Sequence, residues 1–278
     1  MREITILMST YNGEKFLKEQ LNSIINQDYK CWNLYIRDDG STDSTLHILN
    51  NYVSHYQNIH LLNDDRKNMG AAQSFMYLLR EIQADFYMFC DQDDMWLPSK
   101  ISSMVDYYFD KSEKLNSPYL IFSDAIIVDE DLMKINDSFW SYNKVNPELI
   151  IKKPNYIKVF NCAPGCTMLF NREVKMILDK NTDDILMHDW YILIKVLEKG
   201  FVDYLKEPTI LYRQHGNNAV GAERVSLKYI RNKILNISKT LKVQLKTFNF
   251  VRKHTSTSLF EFYFYKLKFN VKRYLTKI

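Results

Sequence analysis

Between Ile4 and Asp91 the chain repeats one pattern: a short apolar run, a polar stop, then a segment with apolar residues at helical spacing. ITILMST (Ile4–Thr10) halts at Asn12-Gly13 and leads into EKFLKEQLNSIINQ, where Phe16, Leu17, Gln20, Leu21, Ile24 and Ile25 recur at helical spacing. WNLYIRDD and STDSTLHILNNYVSHY form a second unit, with Ser and Thr available as caps at the helix start. NIHLLND and GAAQSFMYLLREI form a third, and FYMFCD is a fourth strand. Strands joined by helices of this length predict an α/β fold with a mostly parallel, twisted sheet and helices on both faces. Ligands of such sheets bind at the carboxyl ends of the strands.

Those ends collect polar groups: STYNG closes the first strand, RDDGSTD the second and CDQDD the fourth. Asp91, Asp93 and Asp94 stand directly behind an apolar strand, where like charges repel and stability gains nothing. A positive group belongs beside them. Asp91 and Asp93 flank Gln92 in a D-x-D arrangement that can hold a divalent cation through oxygen ligands while a nucleotide diphosphate supplies the rest. The plainer alternative is a solvated turn, with Asp94 capping the helix that starts near Pro98. At the end of the second strand, Asp38 or Asp39 can accept a hydrogen bond from the imide N–H of uracil or thymine, with Tyr11 covering the ring. Ser41, Thr42 and Asp43 supply helix caps next to them. The dinucleotide fingerprint G-x-G-x-x-G is absent after the first strand, which argues against a dehydrogenase.

Beyond Tyr119 the pattern loosens. YLIFSDAIIVDED reads as a strand, followed by a polar, aromatic connection through Trp140 and Tyr142. NCAPGCTMLFN reads as strand or turn, HDWYILIKVLEKG as a helix ended by Gly200, and PTILYRQHGNN as a strand running into a loop. On that loop His215 can complete a metal shell or simply be hydrogen-bonded in place, and Arg213 can pair with phosphate oxygens. Four scattered cysteines give no zinc pattern and read as reduced thiols of a cytoplasmic protein. With 278 residues, 46% hydrophobic, the chain can bury one large core or a core plus an appendage. The expectation is a chain neither secreted nor membrane-spanning.

The net charge of +4 conceals an asymmetry. From Arg224 to Ile278 there are 14 Lys and Arg against one acid, Glu261, which leaves 23 basic residues against 32 acidic ones before it. Residues 1–223 are therefore expected to form the ligand-binding domain, and 224–278 a helical, basic, aromatic tail. Such a tail suits an anionic membrane surface, or it caps the domain with its lysines solvated. No nucleic-acid module accompanies the charge, so nucleic acid is not an expected partner.

The run ILMSTYNGEKFLKEQLNSIINQ, with IRDDGSTDST, KNMGAAQSF and FCDQDDMWLPSKI in that order, closely resembles the inverting, GT-A fold family 2 glycosyltransferases over residues 3–220. The resemblance implies a Rossmann-like GT-A sheet, a nucleotide-sugar donor, and Mg²⁺ or Mn²⁺ bridging the diphosphate. By position, Ser9, Tyr11 and Asp39, with Asp38 beside them, fall where the family contacts the base. Asp93 falls on the metal, and Asp91 on the ribose or a metal-bound water. Asp189, in MHDWY, falls where the family places its catalytic base, and His188 before it stands where many relatives carry an acid. The Asn161–Asn171 stretch lies on the acceptor side, where Gly165 would admit a sugar to the backbone and Trp140 or Trp190 would stack on a pyranose. YRQHGNNAVG and HDWY resemble the rhamnosyltransferases of bacterial surface polysaccharides. That implies a dTDP-L-rhamnose donor and a lipid-linked acceptor in capsule or surface polysaccharide synthesis, at the inner face of the plasma membrane. The rivals are a UDP-hexose or UDP-N-acetylhexosamine transferase, and a non-catalytic nucleotide-sugar-binding protein.

Overall fold

The structure, a computed structural model, is described over residues 1–110, 116–180, 182, 185–216 and 237–275. The first half alternates as the periodicity predicts: β1 (Ile4–Thr10), α1 (Leu17–Ile25), β2 (Trp32–Asp38), α2 (Thr45–His55), β3 (Ile59–Leu61), α3 (Ala71–Glu81) and β4 (Phe86–Cys90). The second half is β5 (Met95–Trp96), α4 (Lys100–Asp110), β6 (Tyr119–Val128), β7 (Lys134–Asn136), α5 (Phe139–Tyr142), α6 (Pro147–Lys152), β8 (Met168–Asn171), α7 (Arg172–Met176), α8 (His188–Lys199) and β9 (Phe201–Arg213). Short 3₁₀ turns at Pro154–Tyr156 and Gly165–Thr167 punctuate it. Two further helices follow, α9 (Ile237–Thr255) and α10 (Leu259–Leu275).

The nine strands form one sheet in the order β3-β2-β1-β4-β8-β6-β9-β5, with β7 on β6. β1 runs parallel to β2 and β4, β2 to β3, and β6 to β9, whereas β8 is antiparallel to both β4 and β6. Six strands, β1 to β4 with β6 and β9, thus share a direction, and the sheet is mostly parallel. Helices surround it. β4 is buried at all five positions, as expected of a central parallel strand, and each large apolar side chain there contributes about 1.5–3 kcal/mol. The register pairs Thr10 with Asp38 and Met8 with Cys90, so the polar stops of β1, β2 and β4 come to one edge.

The two last helices pack on this domain through one face. Phe248, Phe250, Val251, Phe262 and Phe269 are buried; Phe250 meets Trp190, and Phe269 lies between Tyr156 and Phe160. The Arg273 guanidinium donates to the Asn143 carbonyl. The expected tail segment before Ile237, the boundary at residue 223 and the NNAVG stretch after Gly216 lie outside the described residues.

Candidate active site

The loops leaving β1, β2 and β4 are stitched to one another. Asn12, at φ 47°, receives a bond from Thr42 N on its Oδ1, while its own N–H donates to Ser41 Oγ. Gly13 N donates to Thr45 Oγ1. Gln92, between the two aspartates of the D-x-D, grips the Tyr11 main chain from both sides: its Oε1 accepts from Tyr11 N at 2.8 Å and its Nε2 donates to Tyr11 O at 3.0 Å. A Cβ at position 13 would come within 2.3 Å of that Gln92 oxygen, so any larger residue there would push the Gln92 amide out of the clamp. The Tyr11 ring itself is half exposed, as a base-covering residue requires.

Asp38 and Asp39 divide their tasks. The Asp38 carboxylate accepts four bonds, from Gly40 N, Ser41 N, Thr10 Oγ1 and Ser41 Oγ, which use all its lone pairs. The expectation that it contacts a base is therefore corrected: Asp38 shapes the loop. Asp39 is buried, with Oδ1 bound by Arg37 Nη1 and Met69 N and Oδ2 by Gly70 N. Arg37, fully buried, also reaches Asp64, Ser74 Oγ and the Arg66 carbonyl. Ser9 is half-buried near the end of β1.

The acidic turn after β4 meets the end of β9. His215 Nε2 lies 2.8 Å from Asp93 Oδ2, and the imidazole packs against Phe16. Burial first, then the Asp93 and Asp189 carboxylates, push the Asp91 acid up to about 7. Asp94, 1% exposed, is pushed well above the carboxylate range by burial and by Asp93 and Asp91. It does not cap a helix: its Oδ1 accepts from Arg213 N at 3.0 Å, and α4 begins only at Lys100. The Arg213 guanidinium is committed within the protein, donating to the Asp93 carbonyl, the Glu130 carbonyl and Glu19 while lying over Phe16. Its expected role as a diphosphate ligand is corrected to one of positioning the acidic turn. Crowded carboxylates, and a buried Asp94 Oδ2 that meets no hydrogen-bond geometry among the described residues, fit a divalent cation beside the buried Lys100 ammonium, whose charge also acts on Asp94.

Asp189 opens α8, 7% exposed, with Oδ1 accepting from Trp190 N at 2.6 Å and Oδ2 from Gly165 N at 3.1 Å. Burial raises its acid to about 6, against these bonds and one from Asn161. Its charge acts on Asp91, so the fold brings the two carboxylates into one site although 97 positions separate them in the sequence. Gly165 is explained by this neighbourhood: a Cβ there would stand 2.6 Å from His188 Nε2. His188 is buried between Phe75 and Phe89, and burial lowers its pKa to about 3.

Trp140 is corrected too: it is in the core, its Nε1 donating to Cys162 O and its ring against Phe122 and Tyr204. Trp190 donates to Ile157 O and receives Phe250 of α9. Trp140, 7% exposed, offers no face to a sugar, whereas Trp190 is only partly buried. Sequence reasoning missed Gln92, Arg37, Cys166 and Lys100. Lys100 lies behind the acids with Nζ 3.1 Å from Thr209 Oγ1, and its pKa falls to about 8 through burial. An apolar strand ending in acids could have prompted a search for such a lysine, but its partner Thr209 is 109 residues away.

The profile described as Glycosyl transferase family 2 matches residues 5–174. The dTDP-rhamnosyl transferase RfbG of Shigella flexneri is 32% identical over 231 residues, 77% of this chain and 74% of that protein. Among solved structures, Staphylococcus aureus TarS in complex with UDP-GlcNAc aligns with a TM-score of 0.58 at 18% identity, covering 92% of this chain and 73% of that one. A mannosyltransferase from Pyrobaculum calidifontis, in complex with GDP-Man and Mn²⁺, aligns with a TM-score of 0.54 at 14% identity, covering 99% of this chain and 81% of that one. The fold and the strand-end site define a GT-A glycosyltransferase that takes a nucleotide-sugar donor. The chain belongs to glycosyl transferase family 2.

Proposed function

We propose that the chain transfers a sugar, L-rhamnose from dTDP-L-rhamnose, to a lipid-linked saccharide in surface polysaccharide assembly, in one inverting displacement with Asp189 as base. The observation that carries the donor is the similarity to the Shigella rhamnosyl transferase over 77% of the chain. The site supports the chemistry. Two backbone amides fix the Asp189 carboxylate, and its pKa of about 6 leaves it mostly ionised at neutral pH yet basic enough to accept a proton. The acceptor hydroxyl gives its proton to Asp189 as its oxygen attacks the anomeric carbon, and the nucleoside diphosphate leaves from the opposite side. Asp91 and Asp93, with His215 beside Asp93, would hold Mg²⁺ or Mn²⁺, which when bound supplies charge neutralisation on the diphosphate. Ser9 and Tyr11 face the base, and Asp39 Oδ2, which accepts one bond in the structure, has capacity for an imide N–H.

The tail deepens the acceptor reading. Phe260, Phe264, Leu267 and Val271 fall on one exposed stripe of α10, beside Lys268 and Lys272, and such a stripe suits an anionic bilayer interface at which a lipid-linked acceptor resides. No helix among the described residues is long and apolar enough to cross a membrane.

The donor test is thermal stability against dTDP-rhamnose, UDP-glucose, UDP-galactose and UDP-N-acetylglucosamine, each with and without Mn²⁺. A ligand at about 100 times its Kd stabilises by about 2.7 kcal/mol, so the expected result is a metal-dependent shift with dTDP-rhamnose. A shift with a UDP-sugar instead overturns the rhamnose reading.

A further inference from the structure

Behind the D-x-D turn a thiol joins the acids. Cys166, in the 3₁₀ turn before β8, offers Sγ to the same space as a carboxylate oxygen of Asp91 and one of Asp94, and the three donor atoms all lie within 4.8 Å of one another. Cys166 is fully buried, Asp94 nearly so, and Asp91 is the half-buried member that opens toward the site. Asp94 Oδ2 meets no geometric hydrogen bond among the described residues, the Cys166 thiol being the group that interacts with this carboxylate, and the nearby Lys100 ammonium donates to Thr209 while its charge acts on both. A tetrahedral zinc site with one sulfur and two oxygens at the usual bond lengths places its donors about 3.4–3.6 Å apart. The three atoms need to close by only about an ångström to reach that geometry.

We propose that Asp91, Asp94 and Cys166 form a separate site for a thiophilic divalent cation, Zn²⁺ or Cd²⁺, which competes for Asp91 with the ion that the D-x-D would hold. Mg²⁺ and Mn²⁺ prefer oxygen donors and gain little from sulfur, so the thiol divides the two classes of ion between two overlapping sites. As the Sγ–metal bond forms, the Cys166 proton leaves to solvent. Zinc so placed draws Asp91 inward, and it inhibits transfer without touching the base. Only this competition rests on the proposed function; the site itself does not.

The test is a Cd²⁺ titration of the full chain carrying Cys31→Ser, which removes the one cysteine that is not fully buried, read by the ultraviolet sulfur-to-cadmium charge-transfer band in the absence of donor. The expected result is one equivalent of Cd²⁺, a band lost in Cys166→Ser and kept in Cys162→Ser, and at least tenfold weaker binding in Asp94→Asn. Absence of a band, or its survival in a folded Cys166→Ser chain, overturns the site. If Cys166→Ser does not fold, unchanged Cd²⁺ affinity in Asp94→Asn overturns it equally. A band that forms but is unaffected by Mn²⁺ with dTDP removes the competition and leaves the thiol site standing.

Discussion

Arg37 and Arg213 are both buried guanidiniums with polar partners on every side, but they gather those partners over different lengths of chain. Arg37 bonds Asp39, Asp64, Arg66 and Ser74, none more than 37 positions away. Arg213 reaches Glu19, Asp93, Asp94 and Glu130, between 83 and 194 positions away. The nucleotide side of the site is thus built from local βα units. The catalytic side is built by returning strands β8 and β9 that bring distant segments against β4. In each half one buried guanidinium ties the surrounding segments together, Arg37 through Asp39 and Asp64, Arg213 through Glu19 and the Asp93 and Glu130 carbonyls.

The largest expected effect falls on the catalytic side. Asp189→Asn should lower kcat by about 10²–10⁴-fold while the donor-induced melting shift persists, which separates an enzyme from a binding protein of the same fold. In the unaltered protein kcat/KM should fall on an acidic limb with an apparent pKa of about 6, since the base is lost when Asp189 is protonated. Stability has the opposite sign. Folding raises this pKa, so the contribution of Asp189 is fully present below the unfolded value of about 3.9 and is lost as pH rises through about 6.

Next come the two arginines. Removing one partner of a buried ion pair costs about 3–5 kcal/mol, and urea unfolding of Arg37→Ala should show a loss of that order, whereas Arg213→Ala should cost less because its carboxylate partner Glu19 is half exposed. What distinguishes the halves is the second readout. Arg37→Ala should weaken nucleotide binding with Mn²⁺ binding spared, because Asp39 loses the guanidinium that fixes it against the Met69 and Gly70 amides. Arg213→Ala should weaken Mn²⁺ binding, because the Asp93 main chain loses its tie to the guanidinium, although Asp94 keeps its bond from the residue 213 amide. Equal effects on both ligands in both variants would dissolve the distinction between a local and a long-range half.

The contrast also explains what was legible in the sequence. Strands β1 to β4, their helices and the acidic stops were readable because hydrophobic period and turn chemistry are local, and β1's partners follow from crossover geometry. Asp93 and His215, read separately, do meet. Asp38, Arg213 and Trp140 depart from expectation for one reason: residue type reveals what a side chain can bind, not which partners the fold has already given it, from Ser41 three positions from Asp38 to Glu19 194 positions from Arg213. The alternative of Asp94 as a helix cap fails because its Oδ1 is taken by the Arg213 amide. The short strands β5 and β7 carry no measurable alternation, whereas the equally short β3 is legible through the longer apolar run NIHLLND that contains it.

A smaller effect tests the seam between the halves. Gln92 holds the Tyr11 main chain by two hydrogen bonds, each worth about 0.5–1.5 kcal/mol net. Gln92→Ala should therefore raise the Kd for dTDP about tenfold in a calorimetric titration, with kcat changed much less, since the clamp orders the base-side loop and does not touch the reacting atoms. A variant that lost kcat but bound dTDP normally would assign Gln92 to the catalytic side.

The smallest effect on stability should carry the clearest message about the tail, because α9 and α10 each present one docked and one unpartnered face. Phe250 is buried against Trp190, and Phe250→Ala should cost about 3–5 kcal/mol as other buried phenylalanines do. Phe260 and Leu267 are 80% and 68% exposed, seven residues apart on α10, and replacing both with serine should leave unfolding within about 0.5 kcal/mol per site. A soluble cap would tolerate that change without consequence. A surface that inserts between lipid headgroups would not, because burying those two side chains supplies apolar free energy that the neighbouring lysines alone do not replace. Sedimentation with anionic vesicles decides between them: binding lost in Phe260→Ser/Leu267→Ser at unchanged stability makes the exposed face a membrane contact, and binding retained confines the tail to the role its buried face already performs.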